Sequence, residues 1–161
     1  MATLTMAARD GEFLIKDFDP SYNRETINVN TPQDLAAGTV LGRIKSGVGA
    51  KVSGTGDGTV GAVTLEPDAE VGIYVLTGLT ESANAGTFSV SSPSGAYLPP
   101  LTVAAAYVST HINLTVADGA NDWDIGDIIH VTVTGGDYEA LDPAATTGEQ
   151  TAAAILFGAV D

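Results

Sequence analysis

From residue 52 to residue 134, Gly, Pro, Asn and Asp break the chain at short intervals, and the pieces left between them are rich in Val, Ile, Thr and Tyr. That punctuation constrains the fold more than any other feature, because it favours turns over helical continuity and leaves segments of strand length. Strands are predicted at 60–65, 72–77, 87–91, 102–108, 111–116 and 128–134. Two of these alternate cleanly. Ile112, Leu114 and Val116 share one face, as do Ile129, Val131 and Val133, with His111, Asn113, Thr115 and His130, Thr132, Thr134 opposite. Both histidines are expected to point away from the apolar face. Six short strands at this spacing predict a small antiparallel sandwich or barrel.

Residues 54–61 read GTGDGTVG, so Gly56, Gly58 and Gly61 satisfy the spacing G-x-G-x-x-G. A dinucleotide site of that kind needs the glycines to lead into a helix, whose free N–H groups hold the pyrophosphate. Here VGAVTLEPDAEVGIYVLT follows, in which Pro67 and Gly72 interrupt any helix and the apolar residues alternate. Asp57 also puts a carboxylate inside the would-be cradle. The stretch is expected to be a Gly-rich β-turn.

Outside this block the pattern changes. EFLIKDF at 12–18 and ETINVNT at 25–31 look like short strands, and TPQDLAAGTVLGRI gives Pro and Gly punctuation before a strand at 39–44. LDPAATTGEQTAAAILFGAVD joins a polar turn to an apolar segment that is either a buried strand or a short Ala-rich helix. Periodicity alone does not separate those two.

Charge narrows the partners. All six basic residues, Arg9, Lys16, Arg24, Arg43, Lys45 and Lys51, lie in the first 51 positions, where six acids balance them. Residues 52–161 carry the other fourteen acids with neither Lys nor Arg, so the net charge of −14 sits there. Nucleic acid is not expected as a partner, since a phosphate backbone needs clustered Lys and Arg. The acidic stretch reads as a solvated, self-repelling surface that keeps the chain soluble. Absence of Cys excludes disulfides, thiolate metal sites and a Cys nucleophile. The start MATLTMAARDGEFL lacks a basic n-region and is not expected to act as a signal peptide. The longest apolar run, AAAILFGAV at 152–160, has nine residues. That is about half of what a membrane span needs, so no membrane association is expected.

Chemistry-bearing constellations are few. A hydrolase triad would have to use His111 or His130, both on predicted strands, and no G-x-S-x-G elbow occurs. The acidic stretch DGANDWDIGD supplies Asp118, Asp122, Asp124 and Asp127, hard oxygen ligands of the kind calcium takes. Counted from Asp122, an EF-hand loop wants Gly sixth and Glu twelfth, but Asp127 and Val133 stand there. An irregular cation site is one reading of the cluster. The other is an acidic turn in which Trp123 anchors a hairpin and Gly126 supplies a positive φ.

Two segments, TPQDLAAGTVLGRI at 31–44 and YEALDPAATTGEQTAAAILFGAVD at 138–161, resemble the head decoration (capsid cement) proteins of tailed bacteriophages, the lambda-type family. In that family an AAGTVLG stretch leads to a DPAAT segment, then QTAA and a closing VD. The resemblance covers 14 plus 24 residues directly and leaves out 45–137. That middle block is similar to β-rich inserts of phage structural proteins through GTGDGT, GTFSVSSPSG and ADGANDWDIGDIIHVTV. The implied organisation is a mainly β decoration domain with minor α, formed by 1–45 plus 136–161 and interrupted by an inserted antiparallel sandwich or barrel at 46–135. Family members usually continue beyond the VD motif, so a chain ending at Asp161 is expected to be either a shortened form or a short variant, in both cases without a closing strand.

The resemblance implies a structural virion protein, made in the host cytoplasm, without catalysis or cofactor. Its partners would be the major capsid protein and copies of itself, on the outer surface of the expanded capsid as trimers at local three-fold sites. Residues 1–24 would form a capsid-binding arm using Phe13, Leu14, Ile15, Phe18 and Tyr22, with Lys16 and Arg24 contributing charge. The same apolar residues serve equally well as the core of the protein's own first strand. Trimer contacts are expected from Pro32, Asp142, Pro143 and Thr147. The alternative is a receptor- or glycan-binding insert that uses Trp123, Tyr97 and Tyr107 to stack on sugars, provided that they are not hairpin core.

Overall fold

Alternation in the sequence becomes a large curled sheet, half of a barrel, through pairs such as Ile73↔Thr132, Tyr74↔Val131, Val75↔His130 and Leu76↔Ile129, which set apolar residues together on one face. The computed structural model describes residues 11, 14, 24–30 and 33–160. They sort into a terminal unit (1–44, 137–145 and 149–161) and a central unit (45–136 and 146–148). In chain order the strands are β1 Val40–Ser53, β2 Thr64–Leu65, β3 Gly72–Ser82, β4 Ala85–Ser91, β5 Tyr97–Thr102, β6 Ala106–Tyr107, β7 Ile112–Thr115, β8 Ile128–Ala140 and β9 Ala152–Ile155. The protein is mainly β, and the described residues hold no helix, so the minor α that the resemblance implied is absent among them.

In the central unit one sheet runs β5-β4-β3-β8-β1 and a smaller one β2-β7-β6. Their facing sides make a single core. Tyr74, Leu76, Phe88, Val90, Ile129, Val131 and Val133 from the large sheet meet Leu65, Tyr107, Ile112 and Leu114 from the small one. Trp123 joins them, 1% exposed, with its ring edge-on to Phe88 at 5.5 Å between centroids. Each such side chain contributes about 1.5–3 kcal/mol by leaving water. The predicted alternation of Ile112, Leu114, Val116 and of Ile129, Val131, Val133 is the observed one, and both histidines lie on the opposite faces.

The outward side of the large sheet carries the partners of those buried residues. Across the strands, Tyr97 pairs with Ser91, Ser91 with Val75, and Val75 with His130, while Ile73 stands opposite Thr132. On β1, Ser46 Oγ lies 2.9 Å from Thr134 Oγ1, which places Ser46, and by alternation Val48, Ala50 and Val52, on this same side.

The terminal unit is held by backbone pairing. β9 runs antiparallel to the start of β1 in the register Val40↔Ile155 and Leu41↔Ala154, so the apolar end segment is a strand there and not a helix. Leu35 and Val160 exchange two N–H···O bonds of 2.9 Å, and Tyr138 bridges Val29 in parallel. Gly42 lets two backbones meet: a Cβ there would stand 2.2 Å from Glu149 O.

Several predicted boundaries differ. The 102–108 strand is two strands, β5 and β6, separated by a turn in which Ala104 takes φ 58°. The 60–65 strand shortens to Thr64–Leu65, with Val60 making only a bridge to Val116. Residues 25–31 form no strand among their described positions, and the 12–18 segment lies mostly outside the described residues.

Candidate docking surfaces

The acidic loop of the central unit is built around carboxylates that bind backbone. Asp127, 3% exposed, accepts N–H groups from Gly56 (2.9 Å), Thr55 (3.1 Å) and Asp124 (3.1 Å). Burial alone would push its carboxyl up; the N–H groups of Gly56, Asp124 and Thr55, with the Lys51 ammonium, outweigh that and hold it below the ordinary aspartate value. Asp57 accepts the Asn121 N–H and side-chain amide, both at 2.8 Å, and the Asn121 N–H lowers its pKa. Asp124 accepts the Thr55 hydroxyl, and Asp122 accepts the Asn84 N–H at 2.9 Å. Three separate segments are thereby tied at one end of the unit.

The G-x-G-x-x-G stretch belongs to the same construction. A Cβ on Gly56 would lie 2.5 Å from the Trp123 ring, and one on Gly58 would lie 2.0 Å from Ala117 O and 2.6 Å from Trp123 Nε1. These glycines are therefore spacers against a buried indole, whose N–H bonds Ala117 O at 3.0 Å. The expected β-turn is not what forms: Gly54 takes φ 114° in a bend, and the rest of the stretch runs without a turn against the indole. Gly126 does take a positive φ, 88°.

Of the four acidic residues considered as cation ligands, Asp122, Asp124 and Asp127 are thus engaged, and the Asp118 carboxylate has no hydrogen-bond partner among the described residues. No three His, Cys, Asp or Glu side chains among the described residues converge on a point that could hold a metal.

Of the arm residues, Phe13, Ile15, Lys16, Phe18 and Tyr22 lie outside the described residues, as does Pro32. Leu14 is 41% exposed. The Arg24 guanidinium lies over the Phe157 ring, 3.6 Å from its centroid, and Gly11 donates its N–H to Phe157 O at 2.9 Å. Asp142 and Pro143 are exposed in a turn where Asp142 Oδ1 accepts the Ala144 N–H at 2.9 Å. Thr147 is exposed in the central unit, its carbonyl accepting the Lys45 N–H at 2.6 Å.

Sequence reasoning missed the packing of Arg24 on Phe157, which no spacing signals across so many residues. It also left the aromatics undecided. Trp123 and Tyr107 are core, at 1% and 5% exposed, whereas Tyr97 is 83% exposed. A sugar-stacking surface keeps one of its three candidates.

Compared with known proteins, residues 3–161 match the family model described as bacteriophage lambda head decoration protein D, a span that includes the block left outside the two resembling segments. No curated protein and no solved structure matches the chain.

Proposed function

The chain belongs to the bacteriophage lambda head decoration protein D family, and from that premise we propose that it docks on the outer surface of the expanded capsid as trimers at local three-fold sites. There it stabilises the head against the pressure of packaged DNA. At the coarser level its role is that of a structural protein of the phage capsid, in a family that is structural rather than enzymatic.

The family match over nearly the whole chain is the observation that carries this reading. The terminal unit supports it physically. Among the described residues it buries only Leu41 and Leu156 as apolar side chains, so it gains most by completing its burial on another surface. We assign that completion to the arm before residue 24, whose backbone would add a strand to a capsid sheet while alternate apolar side chains fill pockets. Synthesis in the host cytoplasm accords with the absence of Cys. The central unit is read as an insert displayed by the decoration domain, which accords with its own continuous core.

Co-sedimentation with decoration-free shells tests the proposal. The expected result is saturable binding to expanded shells at about one copy per capsid subunit and none to unexpanded ones; equal binding to both, or to neither, refutes it. Lys16→Glu with Arg24→Glu is expected to weaken binding, and unchanged binding removes those charges from the interface. Deleting 46–135 is expected to leave capsid binding intact.

A further inference from the structure

In the central unit a buried hydroxyl dictates which form of a histidine can sit beside it. Tyr74, on β3 and 0% exposed, accepts the Glu70 N–H at 2.7 Å, and its oxygen lies 3.1 Å from His111 Nδ1 with the two rings edge-on at 5.9 Å. A phenol has one hydrogen to give, and burial pushes the Tyr74 pKa up, so that hydrogen stays in place around neutral pH. Among the described residues, Nδ1 is the acceptor it meets. The contact therefore needs the neutral ring, with its hydrogen on Nε2. It also closes a loop. Residues 66–70 run between β2 and β3, where the Glu66 N–H bonds His111 O at 2.9 Å, the Asp68 N–H bonds Thr110 O at 3.2 Å and the Glu70 N–H bonds the Tyr74 oxygen. Glu70 in turn accepts the Ser94 N–H at 2.9 Å and the Ser94 hydroxyl at 2.8 Å, so the β4–β5 turn hangs from the same loop.

We propose that His111 is a proton-sensitive clasp on the 66–70 loop, closed while its imidazole is neutral and opened when the ring takes up a proton. Protonation turns Nδ1 into a donor facing a donor. The Tyr74 hydrogen must then turn toward the side from which the Glu70 N–H already points, and a buried polar group left without an acceptor costs about 1–3 kcal/mol. Surrounding charge adds to that push. Glu66, Asp68 and Glu70 on the loop attract an imidazolium, and His111 is exposed enough to swing toward them. Glu66 holds the Asn113 amide at 2.6 Å and Glu70 holds Ser94, yet both keep their charge. Lys45 on β1, whose ammonium bonds Ala69 O at 2.7 Å, repels the charged ring. From β3 the facing titratable group is Tyr74 itself. The acidic loop lies elsewhere on β3, where the Gly78 N–H bonds Asp127 O at 2.9 Å. Imidazoles titrate about two pH units above carboxylates, so the two places respond in separate windows. The inference is separate from capsid docking, and no shell enters its test.

Amide exchange of the full chain, compared at about pH 8 and about pH 5, is expected to show protection at Glu66, Asp68 and Glu70 falling about tenfold at the lower pH, while Gly78 and Gly126 keep theirs. Nitrogen NMR of the imidazole at the upper pH is expected to place the hydrogen on Nε2. His111→Asn offers a side-chain oxygen that accepts the Tyr74 hydrogen without titrating, and it is expected to keep the loop closed at both pH values. Tyr74→Phe is expected to leave Glu70 equally unprotected at both. His130→Asn, at a position that pairs with Val75 on β3, is expected to leave the response unchanged. If Tyr74→Phe loses the near-ultraviolet signal of buried Trp123, the His111→Asn comparison carries the test without it. Loop protection that ignores pH overturns the proposal. So does a response that survives in His111→Asn, one that vanishes in His130→Asn, or a hydrogen found on Nδ1 at the upper pH.

Discussion

The central and terminal units are held together by different physics. In the central unit sixteen buried apolar residues form one cluster between two sheets, whereas the terminal unit buries only Leu41 and Leu156 among its described residues and relies on backbone ladders. A cluster of that size stabilises a fold by itself, because the gain from burial scales with the area removed from water. Ladders and rim contacts contribute far less per residue, since each hydrogen bond replaces one to water. Among the described residues, then, the central unit carries a core of its own, whereas the terminal unit is held chiefly by backbone pairing.

The sharpest way to break this comparison is Trp123→Ala. It is expected to cost the central unit about 3–5 kcal/mol, read by hydrogen exchange as lost protection in β3, β4 and β8. Protection at Leu35 and Val160 is expected to persist, and simultaneous loss at both places makes the two units one cooperative body. Gly58→Ala should cost about 3 kcal/mol, near the upper end for overpacking, because the new methyl meets the Ala117 carbonyl as well as the indole. Chemical denaturation checks that figure, and an unchanged midpoint means that the strip is not a spacer.

Asp127→Asn is expected to cost about 2 kcal/mol through a weaker acceptor for its three N–H donors. It also predicts a pH signature. The folded pKa of Asp127 lies below its unfolded value of about 3.9, so its contribution is present above that value and fades as pH falls through the folded pKa. Acid titration of central-unit stability should therefore flatten in Asp127→Asn below about pH 4. The smallest effect belongs to the terminal unit. Arg24→Ala should cost about 0.5–1 kcal/mol by removing the cation from the Phe157 ring, seen as faster exchange of the Gly11 amide.

How far the sequence could be read follows from the same difference. β7 and β8 were legible because each places large apolar residues at every second position against a core. The second half of β1 was not, because its inward positions include Gly47 and Gly49, whose missing side chains leave room for Val63 and Val60 and erase the alternation. β5 was hidden by Pro99 and Pro100, which argue against a strand unless it lies at an edge, as this one does. In the Ala-rich end segment, helix propensity was overridden by pairing with β1, a tertiary fact. As for the candidate sites, the acidic turn was visible as composition, but its task of binding N–H groups depends on residues some seventy positions away, at Thr55 and Gly56.

Those two prolines have a further consequence. Neither can donate a backbone hydrogen bond, so the rim formed by β5 is a poor template for another strand. Identical units at high density would otherwise be free to grow sideways into open-ended fibres.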